Sequence, residues 1–254
     1  MPAVTVTLTR ILGNELPPRD LSGSRLDVLQ YILRTEPDLP GCRKLWLLNS
    51  VYDQNLLRRY MDALYAAGQT WIEQPVDLAA YRAAKSRTQR IVAAIRINEA
   101  RNRAIWEIGG SEYVLPFDGD CFMTLEDWDS LQQVLQTSPK WVGIPCGRYA
   151  QDGRLLAVST EPMLGFRKDA GVWFESKRAF GDRSKLATWA KIKKQGCQLV
   201  ANCRHVATGE ERTEKSLSHR GGQRKQSLDR LLKLLDARVR SEYAATIVCG
   251  VDDG

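Results

Sequence analysis

The sequence predicts an α/β protein, a single domain with a mostly parallel central sheet flanked by helices. Strand-like and helix-like segments alternate along residues 3–118, and this alternation is typical of parallel sheets with helices on their faces. The last strand of the series is followed by two carboxylates, Asp118 and Asp120. With 254 residues, 43% of them apolar and 26% charged, the chain is long enough to bury such a core.

The first half supplies the alternation. Residues 3–9 alternate Val and Leu with Thr, the period of a half-buried strand, and Gly13, Pro17 and Pro18 then interrupt regular structure. Residues 77–97 are rich in Ala and Arg, and their sequence is compatible with either a helix or a mobile loop. The other segments read in turn as helix, strand, helix, strand, helix and strand: 24–35, 44–48, 53–67, 70–73, 98–108 and 113–118.

The second half is less regular, and no internal repeat is present. Its first predicted elements are a helix over 124–135, a strand over 141–144, a turn over 148–154 and a strand pair over 155–158 and 163–167. A helix over 184–195 and a strand over 197–203 follow. The remaining segments are a polar surface loop over 207–226, a helix over 227–235 and a short strand or frayed tail over 246–254.

Basic residues are concentrated late in the chain. The net charge is +7, but residues 177–240 hold 17 Lys and Arg against 6 Asp and Glu. This balance indicates an anionic partner such as substrate phosphates, a nucleic acid or an anionic membrane surface. A solvated basic face is the alternative.

The location is expected to be cytoplasmic. No apolar run approaches the ~20 residues of a membrane span, and MPAVTVTLTR lacks the pattern of a secretion signal. The basic C-terminal helix also allows contact with the inner face of the membrane, although packing on the sheet explains its leucines equally well.

The cysteines are scattered and form no CxxC pair, which is typical of reduced, mostly buried thiols. We expect no structural zinc site because the usual ligand spacing is absent. The six are Cys42, Cys121, Cys146, Cys197, Cys203 and Cys249.

The pair Asp118 and Asp120 is the strongest chemical feature. Residues two apart on a strand face the same way, and a turn at Gly119 also brings the two acids together. Carboxylates are the hard oxygen ligands that Mg²⁺ and Mn²⁺ prefer, often shared with phosphate oxygens. A plain Asp-Gly turn is the alternative. The loop 10–19 and the helix start 98–103 should lie at the same sheet edge, where ligands bind in such folds.

The chain resembles the GT-A (Rossmann-like) glycosyltransferases, in particular the small family-2-like bacterial enzymes. The segments that carry the resemblance are VTLTRILGNELPPR, NEARNRAIWEIGG and YVLPFDGDCFMT with its DxD motif, followed by STEPMLGFRKDAGVWFES and FGDRSKLATW. The resemblance spans roughly residues 4–196. It implies a hexosyltransferase-like enzyme that uses a divalent metal, Mn²⁺ or Mg²⁺, to move a sugar from a nucleotide-diphosphate donor to a hydroxyl of a glycan, lipid or other glycoconjugate.

The resemblance also implies roles for individual residues. The implied metal-binding residues are Asp118, Asp120 and His205. Asp120 is the closer ligand, and Asp118 lies nearer the ribose and the second coordination shell. His205 follows a late strand, where many such enzymes place a third ligand. A packed or surface imidazole is the alternative for His205. The donor-binding set is Arg10, Asn14, Asn98, Arg101, Asn102 and Asp118. We expect residues 1–122 to hold the donor and residues 123–254 the acceptor.

The catalytic base is the least defined part. An inverting transferase needs a carboxylate to take the proton of the acceptor hydroxyl. Glu161 is the first choice, because it stands in a short polar break between strands, and Glu175 and Asp182 are the runners-up. The chain departs from the family pattern here, since it has no Glu-Asp or Asp-Asp pair, and inversion or retention stays open. His219 and Arg220 lie in a basic loop that either closes over the diphosphate or is simply solvated.

Two other functions compete. A nucleotidyltransferase uses a similar metal site but usually carries a Gly-rich, Lys- or Arg-bearing loop after its first strand, and here that loop is ILGNELPPR. A basic nucleic-acid-binding protein is the non-enzymatic alternative. Residues 204–240 contain no Trp, Tyr or Phe, so stacking on single-stranded bases is not expected there.

Overall fold

The computed structural model describes residues 3–14, 25–149, 152–175, 181–195, 198–199, 202–206 and 228–241. The strands are β1 Val6–Leu12, β2 Cys42–Asn49, β3 Thr70–Gln74, β4 Tyr113–Asp118, β5 Cys121–Phe122, β6 Trp141–Tyr149, β7 Leu155–Arg167, β8 Gln198–Leu199 and β9 Cys203–Val206. The helices are α1 Arg25–Thr35, α2 Gln54–Ala66, α3 Leu78–Ala83, α4 Arg87–Ile95, α5 Ile97–Trp106, α6 Leu125–Leu135 and α7 Gly181–Lys193, and the described part of a last helix, α8, covers 228–241.

The described strands form one mixed sheet, and the prediction of an α/β protein is confirmed. Its order is β3-β2-β1-β4-β7-β6-β9-β5, with β8 beside β6. The strands β1 to β4 are parallel, and β7 runs antiparallel to both β4 and β6. The strand β9 is parallel to β6 and antiparallel to β5. The carboxyl ends of β1, β2, β3 and β4 therefore share one edge.

Some predicted boundaries change. The segment 77–97 forms two helices, each begun by a side-chain cap, Asp77 for α3 and Ser86 for α4. The predicted late strand is two short strands, β8 and β9. The predicted strand pair is the single strand β7, and Pro162 lies within it next to a register shift between Ile144 and Cys146 of β6. An irregularity of this kind tolerates a residue without an N–H.

Alternate residues of the central strands divide between two helical layers. Tyr113, Leu115 and Phe117 of β4 pack in a cluster with Trp128 and Leu131 of α6. On the opposite face, Val114 packs in a cluster with Ile105 of α5 and Ile192 of α7. The period of two along β4 thus fixes which side chains meet each layer, and it places α5 against the strand that carries the two carboxylates.

The helix α8 uses its leucines for packing. Leu228, Leu231 and Leu235 are buried in a cluster with Tyr81 of α3 and Ile91 of α4. The apolar stripe expected to meet the sheet or a membrane is thus covered by two other helices. Among the described helices, none is long and apolar enough to cross a membrane.

Candidate metal and donor site

The turn after β4 is shaped by a close approach between two strand ends. Asp118 pairs with Ile11 of β1, and a Cβ on Gly119 would lie 2.4 Å from the Ile11 carbonyl oxygen and 2.9 Å from Leu12 Cδ2. Only a residue without a side chain fits against that backbone. Gly119 therefore lets Asp118 and Asp120 stand on either side of a turn that is pressed against the end of β1.

Each carboxylate has a cationic or imidazole neighbour from a different part of the chain. Arg101 of α5 donates from Nη2 to Asp118 Oδ1 at 3.0 Å. His205 Nε2 lies 3.1 Å from Asp120 Oδ2. The short strand β9 holds His205 there, because Cys121 pairs with His205 and the Val206 amide donates to the Asp120 carbonyl at 2.8 Å.

The chemistry of Asp120 and His205 fits a divalent metal. Adjacent ligands of an octahedral Mg²⁺-like ion, each at about 2.1 Å, lie about 3 Å apart, which matches their separation. Carboxylate oxygen and imidazole nitrogen also suit Mn²⁺. Among the described residues, Asp118 does not join these two in a compact group of three ligand atoms. Asp118 turns toward Arg101 instead, in keeping with a position outside the metal's immediate ligands.

Arg10 lies beneath the turn. Its side chain is only 1% exposed and pairs with Glu36, its Nε donates to the Cys121 carbonyl at 2.7 Å, and its guanidinium carbon lies 5.1 Å from the centre of the Trp46 ring. Glu36 also accepts from the Met123 amide at 3.1 Å. The pair Arg10 and Glu36 thus holds the backbone just after the two carboxylates. Sequence reasoning missed Glu36, which stands before Pro37 like an ordinary residue at a helix end.

The Asn14 side chain forms hydrogen bonds with the backbone of the loop after β2. Its Nδ2 donates to the Ser50 carbonyl at 2.8 Å, and its Oδ1 accepts from the Tyr52 amide at 3.0 Å. The loops after β1 and β2 are therefore tied together at the edge where a donor nucleotide was expected. Asn14 is 9% exposed, and these two bonds use one donor and one acceptor position of its amide.

Two asparagines of α5 fix the segment after β7. Asn102 Nδ2 donates to the Phe174 carbonyl at 2.9 Å and its Oδ1 accepts from the Phe174 amide at 2.7 Å. Asn98 Nδ2 donates to the Glu175 carbonyl at 3.0 Å. Between them on the helix, the Arg101 guanidinium carbon lies 5.5 Å from the centre of the Phe174 ring. The predicted donor-side helix thus carries the segment 174–175 to the site.

The structure describes the side chain of one of the three candidate bases and only the backbone of the other two. Glu175 is exposed beside the start of α5. Glu161 lies in β7, in the stretch between Ser159 and Met163 where the pairing of β7 with β6 is irregular. Asp182 lies in the first turn of α7. The side chains of Glu161 and Asp182, and all of His219 and Arg220, lie outside the described residues.

Comparison with known proteins finds similar folds but no similar sequence. No family model matches the sequence, and no curated protein matches it. The structure of GalNAc-T7 with UDP, GalNAc and Mn²⁺ matches with a TM-score of 0.53 and 9% identity, over 82% of this chain and 45% of that one. This chain thus spans less than half the length of GalNAc-T7.

Two further solved structures match with lower scores. The mannosyltransferase PcManGT from Pyrobaculum calidifontis, in complex with GDP-Man and Mn²⁺, has a TM-score of 0.47 and 14% identity, over 88% of this chain and 62% of that one. A 4-diphosphocytidyl-2C-methyl-D-erythritol synthase from Anaerococcus prevotii has a TM-score of 0.45 and 11% identity, over 86% and 97%.

The similarity to GalNAc-T7 concerns the arrangement of strands and helices, since the sequences share few residues. The chain has a GT-A-like fold.

Proposed function

We propose that this protein is a metal-dependent glycosyltransferase that moves a sugar from a nucleotide-diphosphate donor to a hydroxyl acceptor. One observation carries the proposal: the turn after β4 presents two carboxylates, one beside the buried Arg101 and the other beside His205. Metal ligands and a phosphate-binding cation are what a nucleotide diphosphate requires. The division into a donor half before residue 122 and an acceptor half after it belongs to this proposal.

In this proposal Asp120 and His205 hold the metal ion, and Asp118 stays outside its immediate ligands. When bound, the ion neutralises charge that develops on the departing diphosphate. The preference for Mn²⁺ or Mg²⁺ follows from the oxygen and nitrogen ligands.

Arg101 is the donor-side cation. It is 2% exposed, and none of the described residues accepts a hydrogen bond from its buried Nη1. A phosphate oxygen is the acceptor that a guanidinium prefers. Asn98 and Asn102 act through the backbone of the segment 174–175, and Arg10 and Asn14 act by holding the turn and the loops. We propose these four as positioning residues of the donor site.

The first choice for the carboxylate that takes the proton of the acceptor hydroxyl is Glu161, and Glu175 and Asp182 are the alternatives. The base must reach the hydroxyl directly or through one water. The substitutions Glu161→Gln and Glu175→Gln keep the side-chain size while removing basicity. The base variant should lose transfer by about a hundredfold or more while still binding nucleotide diphosphate, and the other variant should keep its activity.

Thermal stabilisation by UDP, GDP, CDP and dTDP, each with and without Mn²⁺, tests the proposal. We expect a Mn²⁺-dependent rise in melting temperature for one diphosphate. Asp120→Asn should remove that rise while keeping the unliganded melting temperature. Asp129→Asn is the matched control, because Asp129 is exposed on α6.

The same measurements separate the competing functions. A nucleotidyltransferase would be stabilised by nucleoside triphosphate and would release pyrophosphate. A nucleic-acid-binding protein would show no shift with any diphosphate and would bind oligonucleotides with strong salt dependence. Either result contradicts the transferase.

A further inference from the structure

Three cysteines that are far apart in the sequence meet in the core. Cys121 of β5, Cys146 of β6 and Cys203 of β9 place their Sγ atoms within 4.8 Å of one another. They are 0%, 1% and 0% exposed. A single buried cysteine usually behaves as a small apolar side chain, but three sulfur atoms at this spacing are close enough to bind one metal ion together.

Strand register explains how they meet. Cys146 pairs with Cys203 between β6 and β9, and Cys121 pairs with His205 between β5 and β9. Because Cys203 and His205 are two apart on β9, these four residues share one face of the sheet. The surrounding cluster includes Met123, whose thioether is soft and polarisable.

We propose that Cys121, Cys146 and Cys203 form a binding site for a thiophilic divalent metal ion of the Zn²⁺ class. With Zn–S bonds of about 2.3 Å, tetrahedral thiolates lie about 3.8 Å apart. Small side-chain rotations reach that spacing from one that is already within 4.8 Å. His205 lies across from Cys121 on β9 but belongs to the proposed donor site, so the three sulfur atoms are the ligand set of this site.

The charges around the cluster are mixed. Three thiolates with one divalent ion carry a net charge of −1. Arg10 and Lys44 share the carboxylate Glu36, a group of net charge +1, and Arg10 donates to the Cys121 carbonyl at 2.7 Å. The Asp120 carboxylate adds one negative charge, since its Oδ1 lies 3.8 Å from Cys121 Sγ.

This site is distinct from the proposed donor site in both ligands and purpose. Sulfur ligands select soft ions, whereas carboxylates select Mg²⁺ and Mn²⁺. A metal bound to the three cysteines would link β5, β6 and β9, because each strand supplies one ligand. It would thus fix the backbone that carries Asp120 and His205.

Cadmium is a suitable probe, because its bonds to thiolates give an ultraviolet charge-transfer band that oxygen ligands do not. Reduced, chelator-treated full-length protein is titrated with Cd²⁺. We expect the band to saturate at a single ion per chain, with a rise in melting temperature. Zn²⁺ should displace the Cd²⁺ and Mn²⁺ should not.

Variants assign the ligands. Cys146→Ala should lower the Cd²⁺ affinity by at least tenfold, whereas Cys42→Ala, at a described cysteine outside the cluster, should leave it unchanged. Asp120→Asn should also retain the band, so loss of the donor site and loss of this one are distinguishable. The proposal is overturned if wild-type protein gives no sulfur band, or if Cys146→Ala gives the wild-type band.

A measurement on the wild-type protein covers the case in which Cys146→Ala does not fold. Iodoacetamide labelling in mild denaturant, followed by digestion and mass spectrometry, is compared with and without Cd²⁺. Bound metal should protect the peptides that contain Cys121, Cys146 and Cys203, but not the peptide that contains Cys42. Equal labelling of the cluster in both conditions contradicts the proposal.

Discussion

Arg101 on α5 and Asp118 at the end of β4 form an ion pair with unequal exposure. The Nη2 to Oδ1 distance is 3.0 Å, and the two side chains are 3% and 30% exposed. The cation is therefore fixed inside the protein while the carboxylate reaches the surface. Such a pair presents the positive charge at the site without the cost of ordering a flexible side chain when a ligand binds.

The substitution Arg101→Lys tests this arrangement. Lysine keeps the charge but lacks the planar fork that meets Asp118 and stacks on Phe174. We expect nucleotide-diphosphate affinity to fall by about tenfold or more, the equivalent of one charge-assisted hydrogen bond, as measured by calorimetry. Arg103→Lys is the control, since that side chain is 56% exposed and pairs with Glu107 on the same helix. Equal losses in both variants would argue against a specific role for Arg101.

Gly119→Ala should destabilise the whole fold. Its Cβ would meet the Ile11 carbonyl oxygen at 2.4 Å, and backbone cannot yield as a side-chain tip does. We expect a loss of about 1–3 kcal/mol, a fall in melting temperature of several degrees for a chain of this length. Gly110→Ala serves as the comparison, because an added Cβ there meets nothing within 4 Å. A wild-type melting temperature for Gly119→Ala would show that the turn can shift.

Asn102→Ala should release the segment that leads to Glu175. The side chain makes two hydrogen bonds with the backbone of Phe174, and each contributes about 1 kcal/mol. We expect faster amide hydrogen exchange over residues 170–175, with little change in the central strands. The exposed Asn55 of α2 provides an Asn→Ala control. Unchanged exchange over 170–175 would mean that other contacts hold the segment.

Tyr81 should make stability depend on pH in the alkaline range. Burial, followed by the hydrogen bond to Asp236, raises the pKa of Tyr81 from 10.0 to about 12. The folded state thus holds this proton more tightly than the unfolded state. The resulting stability is fully present below pH 10 and is lost as the pH rises toward 12.

Tyr81→Phe removes both that dependence and the bonds to Leu232 and Asp236 of α8. Below pH 10 we expect the variant to be less stable by about 1 kcal/mol. Above pH 10 the difference should shrink and then reverse before pH 12, because a shift of this size is linked to more than about 2 kcal/mol. Urea unfolding across this range measures it. The raised pKa of Tyr52 is present in both proteins and cancels. A difference that stays constant with pH would contradict the role of Tyr81.

Local patterns were enough to predict the first half of the fold. Each pattern can be recognised within a short segment of the sequence. Examples are the alternation of Val and Thr in β1, the apolar run of β4 and the spacing of apolar residues in α5. The position of Asp118 and Asp120 at the sheet edge followed from the same patterns. The helix caps Asp53 and Thr124 also behave as their types predict.

The parts that escaped prediction depend on long-range pairing. No local feature of Cys203–Val206 indicates that β9 inserts between β6 and β5, yet this insertion brings His205 to Asp120 and Cys203 to Cys146. The burial of Arg10 was missed for a related reason, because its partner Glu36 belongs to the end of another helix. The meeting of Cys121, Cys146 and Cys203 was missed in the same way, because each comes from a different strand.

The insertion of β9 also sets an order of events during synthesis. The ribosome delivers β4 and α5, with Asp118 and Arg101 already able to meet, long before it delivers residues 203–206. A nascent chain that ends near residue 150 contains the parallel strands but lacks the neighbour of β5. His205 can join Asp120 only when the later part of the chain folds back. The candidate metal site can thus be completed only after residues 203–206 have been synthesised and paired with β5 and β6.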